Sequence, residues 1–312
     1  MTILLSDLEI ICLLAIAVFG VPHGAYDYEF IKTATKERGS NFALMIAAYL
    51  TLVILSLILW FLAPTFSILI FLLISTYHFG AADALNYGIK SENLKHLKIC
   101  STIMQGGLIT VLLPLLHWAT ISEYFRELQS DHGTLLNCLM LGGLVWAISA
   151  LVVFVNLFQS KQREKLIAIP LICLSVWVME PLVFFALFFC CSHSWSHYKK
   201  SQRRLSFEGV FPSVSFFAIT VLAWVLIAIV GLGLLSVSDE GLRLTSNPNL
   251  LRGVFASLFA LTVPHILVVD FLIFSIWRTE GSTPEDSVLT CLLYTSDAAD
   301  DMQCVDLGGR RI

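Results

Sequence analysis

The chain has 312 residues, of which 57% are hydrophobic and 13% charged, with a mean hydropathy of +0.81 and a formal net charge of −4. Soluble domains average roughly 25% charged residues, and no water-soluble core can hide this much apolar side chain. The composition therefore predicts an integral membrane protein. It is all-α, because a membrane barrel would show short alternating segments instead, and the acidic balance argues against a nucleic-acid partner.

Apolar stretches run at about 8–26, 42–62, 66–85, 99–118, 134–158, 166–179, 182–198, 211–236 and 252–277. They predict a polytopic bundle of eight to nine hydrophobic segments, forming a single transmembrane domain over 1–280. The first stretch follows an acidic start (Asp7, Glu9) and carries a motif that cleavage would remove, so it does not read as a signal peptide. Residues 166–198, as one helix, would reach roughly 50 Å against a hydrocarbon core near 30 Å. Glu180-Pro181 offers a break, since proline disrupts helix hydrogen bonding and disfavours helix at the residue before it. A short helical hairpin is expected there. The polar tail, 281–312, shows no membrane pattern and is expected to be disordered or foreign sequence.

Positive charge supports this count. The first, third, fifth and seventh loops carry Lys32, Lys36, Arg38; Lys90, Lys95, Lys98; Lys161, Arg163, Lys165; and Lys199, Lys200, Arg203, Arg204. The intervening loops hold only Arg126, Arg243 and Arg252. The alternation holds only if 166–198 crosses and returns. It predicts a multi-pass protein of the cell (inner) membrane, with its N-terminus outside and the basic loops cytoplasmic.

Histidines sit where such a chain can least explain them. His23 lies in GVPHGAYD, His78 in STYHFGAAD, and His193 and His197 in CCSHSWSHYKK, each near the cytoplasmic end of a span. His265, in TVPHILVVD, is about halfway along the last span. Imidazoles within lipid-embedded segments usually face a cavity, a partner or a metal. His193 and His197 are spaced i, i+4, which puts both rings on one face of a helix; His23 and His78 would complete a ligand set from two other helices. Imidazole favours transition metals over magnesium or calcium. Asp27, Asp83 and Asp270 follow three of the histidines by four or five residues and suit a role as carboxylate anchors of ligating rings. Tyr26, Tyr77 and Trp195 stand among aromatics able to line an apolar cavity for a long hydrocarbon. His96, His117 and His132 read as solvated or interfacial. The eight cysteines lack a CxxC repeat and read mostly as small buried hydrophobes, with Cys190 and Cys191 as lesser thiolate candidates.

At GVPHGAYD, YHFGAAD, HSWSH and TVPHILVVD, in that order from about residue 10 to 275, the sequence resembles the Brp/Blh family of bacterial and archaeal membrane β-carotene 15,15'-dioxygenases. The resemblance implies non-haem Fe(2+) held by His23, His78, His193 and His197. It also implies cleavage of the central double bond of β-carotene by O2 to two molecules of retinal in the lipid bilayer, and a functional link to a microbial rhodopsin that uses retinal. His265 matches a family motif without being a clear ligand. The filling of the histidine pair, Ser194-Trp195-Ser196, departs from the more basic filling associated with the family. Two other readings remain open. One is a membrane di-iron desaturase or hydroxylase, which would need more histidine boxes than the single HxxxH present; the other is a non-enzymatic carotenoid- or metal-binding or transport protein.

Overall fold

The computed structural model describes residues 5–82, 94–205, 214–236 and 248–273. Among the described residues every element is a helix, and each of the nine apolar stretches is helical where it is described, apart from His117 and Met179. Among the described residues, six helices are long and apolar enough to cross a membrane: Asp7–Arg38, Phe42–Leu62, Pro64–Ala81, His96–Leu116, His132–Gln159 and Asn249–Asp270, with a shorter apolar helix at Val214–Val230. Large apolar side chains such as Leu44, Leu62, Leu141, Phe158 and Trp177 stand exposed around the outside. In water such a surface would aggregate; against lipid it is the expected one. The predicted all-α membrane bundle is what the chain forms.

The first stretch differs from its expectation. α1 (Asp7–Ala15) starts at a capping box, in which Ser6 and Glu9 satisfy each other's backbone amides. It winds without a break through a π-helical segment, Ile16–Gly20, and a 3-10 segment, Val21–Tyr26, into α2 (Asp27–Arg38). Residues 27–38 were expected to be a loop because they are polar. They form a helix because Asp27 and Glu29 sit in its first turn and Lys36 and Arg38 in its last, matching the helix dipole. Gly39, at φ 63°, ends it in the left-handed conformation that glycine adopts without strain.

α3 (Phe42–Leu62) and α4 (Pro64–Ala82) are separated by Ala63 alone. α5 (Leu94–Gly107) continues through a π segment, Leu108–Leu112, into α6 (Leu113–Leu116) and, past a break at His117, into α7 (Trp118–Glu127). His117, read as solvated or interfacial, instead bonds the Val176 carbonyl through Nε2 at 2.7 Å. α8 (His132–Gln159) follows its Asp131 cap. α9 (Arg163–Val178) stops just before the expected break; Glu180 caps α10 (Pro181–Ala186), with Pro181 at its first position. α10 runs through a long π segment, Leu187–Ser194, into α11 (Trp195–Arg204), so 166–198 does form two helical arms. α12 (Val214–Ser236) and α13 (Pro248–Ile266) follow, and α13 ends in a π segment, Leu267–Ile273. Arg252 donates to the Glu127 carbonyl, joining the start of α13 to the end of α7.

α13 is the central rod. The apolar window of its span is 67% buried, against 11% for α3 and 17% for α8, and α13 touches α1, α3, α4, α7 and α12. Around it the main core collects Trp60, Phe79, Phe189 and Phe259, with Trp60 and Phe71 both packed on the Phe259 ring. α4 and α5 approach so closely that a Cβ at Gly80 would overlap the Thr102 carbonyl, and one at Gly106 the Thr76 carbonyl. The gain is dense interhelical packing where lipid offers no hydrophobic drive. The Thr76 and Thr110 hydroxyls then meet at 2.6 Å.

Two predictions follow from this packing and capping. Gly106→Leu should push α4 from α5 and cost at least about 1–3 kcal/mol, seen as a lower thermal midpoint in detergent. Gly142→Ala, whose Cβ would meet Val111 methyls at 3.5 Å or more, should leave the midpoint unchanged. At Asp131 the Thr134 hydroxyl and the Gly133 and Thr134 amides bond the carboxylate and hold its pKa below the usual range. A depressed folded pKa means the stabilisation is complete above the unfolded value near ~4 and fades as pH falls through the folded one. Asp131→Asn should therefore flatten the acid-side slope of the thermal midpoint while still capping α8.

Candidate functional site: a buried histidine cluster

Four of the five singled-out imidazoles meet inside the bundle. His193 is fully buried, and His78, His197 and His265 nearly so, at 2%, 6% and 3% exposure. The ring centroids of His78 lie 5.0 Å from His193, 5.1 Å from His265 and 6.2 Å from His197. His197 is 5.0 Å from His265 and 6.3 Å from His193. The rings come from α4, from the junction of α10 and α11, and from α13, elements distant in sequence. The 3-10 segment carrying His23 packs on α11, α12 and α13; the His23 side chain itself lies outside the described residues, as does Asp83.

Local helix winding sets these positions. His193 belongs to a π-wound segment and His197 to α11, so the pair is not carried on the uniform α-helix that its spacing suggested. Pro264 removes a backbone donor just before His265, and the π segment that follows carries Asp270. π turns recur at functional sites because the extra residue per turn re-aims side chains. Three of the four such segments among the described residues, Ile16–Gly20, Leu187–Ser194 and Leu267–Ile273, adjoin the histidine-bearing motifs.

The carboxylate anchors are real hydrogen-bond partners, but across helices rather than along them. Asp270 bonds His78 Nδ1 at 3.0 Å, and Asp27 bonds His265 Nδ1 through both oxygens at 2.8 and 3.0 Å. The sequence neighbours His23–Asp27 and His265–Asp270 suggested the opposite assignment. A residue four or five positions on lies a full turn away along the same rod, whereas an adjacent rod can set its side chain at the same depth. Tyr49 of α3 donates to Asp27 Oδ2 at 3.0 Å, and Ser201 meets His197 Nδ1 at 3.3 Å. Neither was foreseen from the sequence. The signals were one of three hydroxyls inside the apolar α3, Tyr49 beside Thr51 and Ser56, and a serine four residues past His197.

Aromatic rings close the cluster. Phe79 lies 4.7 Å from the His193 ring, and Phe189 stacks on it at 6.0 Å with only 11° between planes. Gly20 has no side chain because a Cβ there would overlap the Phe189 ring. Tyr26 is fully buried between Tyr198 and Phe216. Tyr77, 46% exposed, and Trp195, 56% exposed, point away from the rings. Trp195 instead lines an open apolar cavity of about 560 Å³ between α1 and the α10–α11 arm, with Leu8, Ile11, Phe19, Pro22 and Ser194. Cys190 and Cys191 also border this cavity; the Cys190 thiol donates to the Ala15 carbonyl, and Cys191 is exposed. Phe79 and Phe185 line a second apolar cavity of about 90 Å³.

This donor set suits a transition metal. Rings at His78, His197 and His265 each have Nδ1 engaged by an oxygen, so Nε2 is the nitrogen through which each would coordinate an ion. His78 Nε2 is buried with no hydrogen-bond partner among the described residues. Two imidazoles on one ion, at the usual metal–nitrogen distance, hold their centroids roughly 5 Å apart, which three of the measured separations match. No group of three histidine, cysteine, aspartate or glutamate side chains among the described residues forms a ready-made metal site. The centroids of His197 and His78, and of His197 and His193, stand 6.2 and 6.3 Å apart.

Fold and site together define a polytopic helical membrane protein with a buried, carboxylate-anchored histidine cluster flanked by apolar cavities. The family model of beta-carotene 15,15'-dioxygenases matches residues 14–273. The chain is also 31% identical, over 269 residues, to the beta-carotene 15,15'-dioxygenase of uncultured marine bacterium 66A03, covering 84% of this chain and 93% of that one. The chain belongs to the beta-carotene 15,15'-dioxygenase family. No solved structure matches it significantly.

Because Asp270 sets the ring of His78, Asp270→Asn should weaken binding of a transition metal by roughly 10–100-fold without unfolding the protein. Competition against a coloured chelator, with purified full-length chain in detergent, measures it.

Proposed function

We propose that this chain cleaves the central 15,15' double bond of β-carotene with O2, giving two molecules of all-trans-retinal. The observation that carries this reading is the buried histidine cluster with two apolar cavities reaching its neighbours Phe79 and Ser194. A symmetric polyene cut at its middle must extend apolar arms in both directions from the reacting atoms. The cavity of about 560 Å³ falls within the size range of ligand sites, and Ser194, next to His193, lies in its wall. The smaller cavity is lined by Phe79, whose ring packs on His193.

Fe(2+) held by His23, His78, His193 and His197 would supply the activation of dioxygen. The chain's own residues perform the remaining work. Asp270 and Ser201 fix the orientation of the His78 and His197 rings. Phe79, Phe188 and Phe189 enclose His193 and keep water from the reacting bond. The groove between α1 and α10 opens beside the exposed Phe19 and Trp195, so a substrate dissolved in the bilayer could enter sideways from lipid. The distribution of lysine and arginine supports an inner-membrane orientation with the N-terminus outside and the cluster toward the cytoplasm. Retinal released there would serve a microbial rhodopsin.

Expression in β-carotene-producing bacteria tests the reading. Orange cells should lose colour and accumulate retinal, and His78→Ala or His193→Ala should abolish both effects. Iron near one per chain is expected, whereas two per chain would favour a di-iron desaturase. A folded, iron-loaded protein that leaves β-carotene and related carotenoids intact under oxygen would defeat the proposal.

A further inference from the structure

We infer that His265 is itself a metal ligand, and that Asp27 and Tyr49 form a two-member support that positions its ring. The inference rests on the iron reading above and adds a donor to it. His265 is as close to the cluster as any accepted member: its centroid is 5.1 Å from His78 and 5.0 Å from His197, nearer to His197 than His78 or His193 is. Its orientation is the most strongly determined of the four rings. Both oxygens of Asp27 hold Nδ1, and the Tyr49 hydroxyl donates to Asp27 Oδ2, so the Nε2 edge is turned away from the carboxylate.

The local backbone is built around this pair. A Cβ at Gly24 would stand 3.4 Å from His265 Nδ1 and 3.7 Å from Asp27 Oδ2, so the glycine of GVPHGAYD leaves the space the pair occupies. Asp27 and His265 are 2% and 3% exposed, inside a protein whose surroundings are lipid. Burying a carboxylate–imidazole pair at that depth is expensive. Packing alone does not require it, since an apolar side chain would fill the same space. Ligation accounts for the expense, because a carboxylate on Nδ1 fixes the tautomer and raises the basicity of the nitrogen that binds the ion. The same arrangement recurs at Asp270 and His78.

Binding of Co(II) to the purified full-length chain in detergent tests this without recourse to activity, through its dissociation constant and its visible absorption, which reports the number and type of donors. His265→Ala should weaken binding at least ~10-fold and change the visible band. Asp27→Asn should weaken it by roughly 10–100-fold with the band retained, because the ring is still present. Added imidazole should restore the native band in His265→Gly. If His265→Ala fails to fold, Asp27→Asn and the imidazole rescue decide the matter. Native affinity and band in His265→Ala, or native affinity in Asp27→Asn, would overturn the role of His265 alone. Failure of the unsubstituted chain to bind Co(II) or Fe(II) would overturn the iron reading together with it.

Discussion

The interior of this protein depends on carboxylate–imidazole pairing between helices. In a lipid-surrounded bundle an isolated carboxylate or a misoriented imidazole is costly, and the neighbouring helix offers the nearest compensation. Asp270 with His78 ties the end of α13 to α4; Asp27 with His265 ties the start of α2 to the middle of the last span; Tyr49 brings α3 into the second pair. Each bond fixes a relative depth as well as a partner. If the last span slid by a turn, both pairs would lose a partner at once, because it carries His265 and Asp270.

Close packing is what lets those bonds reach. α4 can present His78 to the cluster only because Gly80 and Gly106 allow its backbone to lie against α5, and Gly20 allows the first helical stretch to lie against Phe189. The π-wound segments make the complementary adjustment along the rods. They turn His193 and Asp270 toward the centre without ending the helices that carry them. Glycine sets how near two rods come, and the extra residue per turn sets where their side chains point.

Much of this was readable in advance. Composition dictated a membrane bundle, Glu180-Pro181 announced the break between α9 and α10, and the histidine motifs marked the residues that converge, His78, His193, His197 and His265 among them. Other features were not readable. α2 was mistaken for a loop because its polar residues masked a helix stabilised by charge at both ends. The anchors of His78 and His265 were suggested along the chain, where neither lies. Tyr49, Ser201 and Gly24 drew no notice, because a single hydroxyl or glycine in an apolar run has many ordinary explanations.

The division has a physical basis. Hydropathy, proline and the alternation of basic loops act locally or against a uniform lipid slab, so the linear order of residues suffices to determine that the chain forms a bundle of apolar rods and which of them carry imidazoles. Which aspartate meets which histidine depends on the depth and rotation of one rod against another, quantities set by interhelical contacts such as that of Gly106 with Thr76. Only the tertiary structure decided those, and with them the membership of His265 in the cluster.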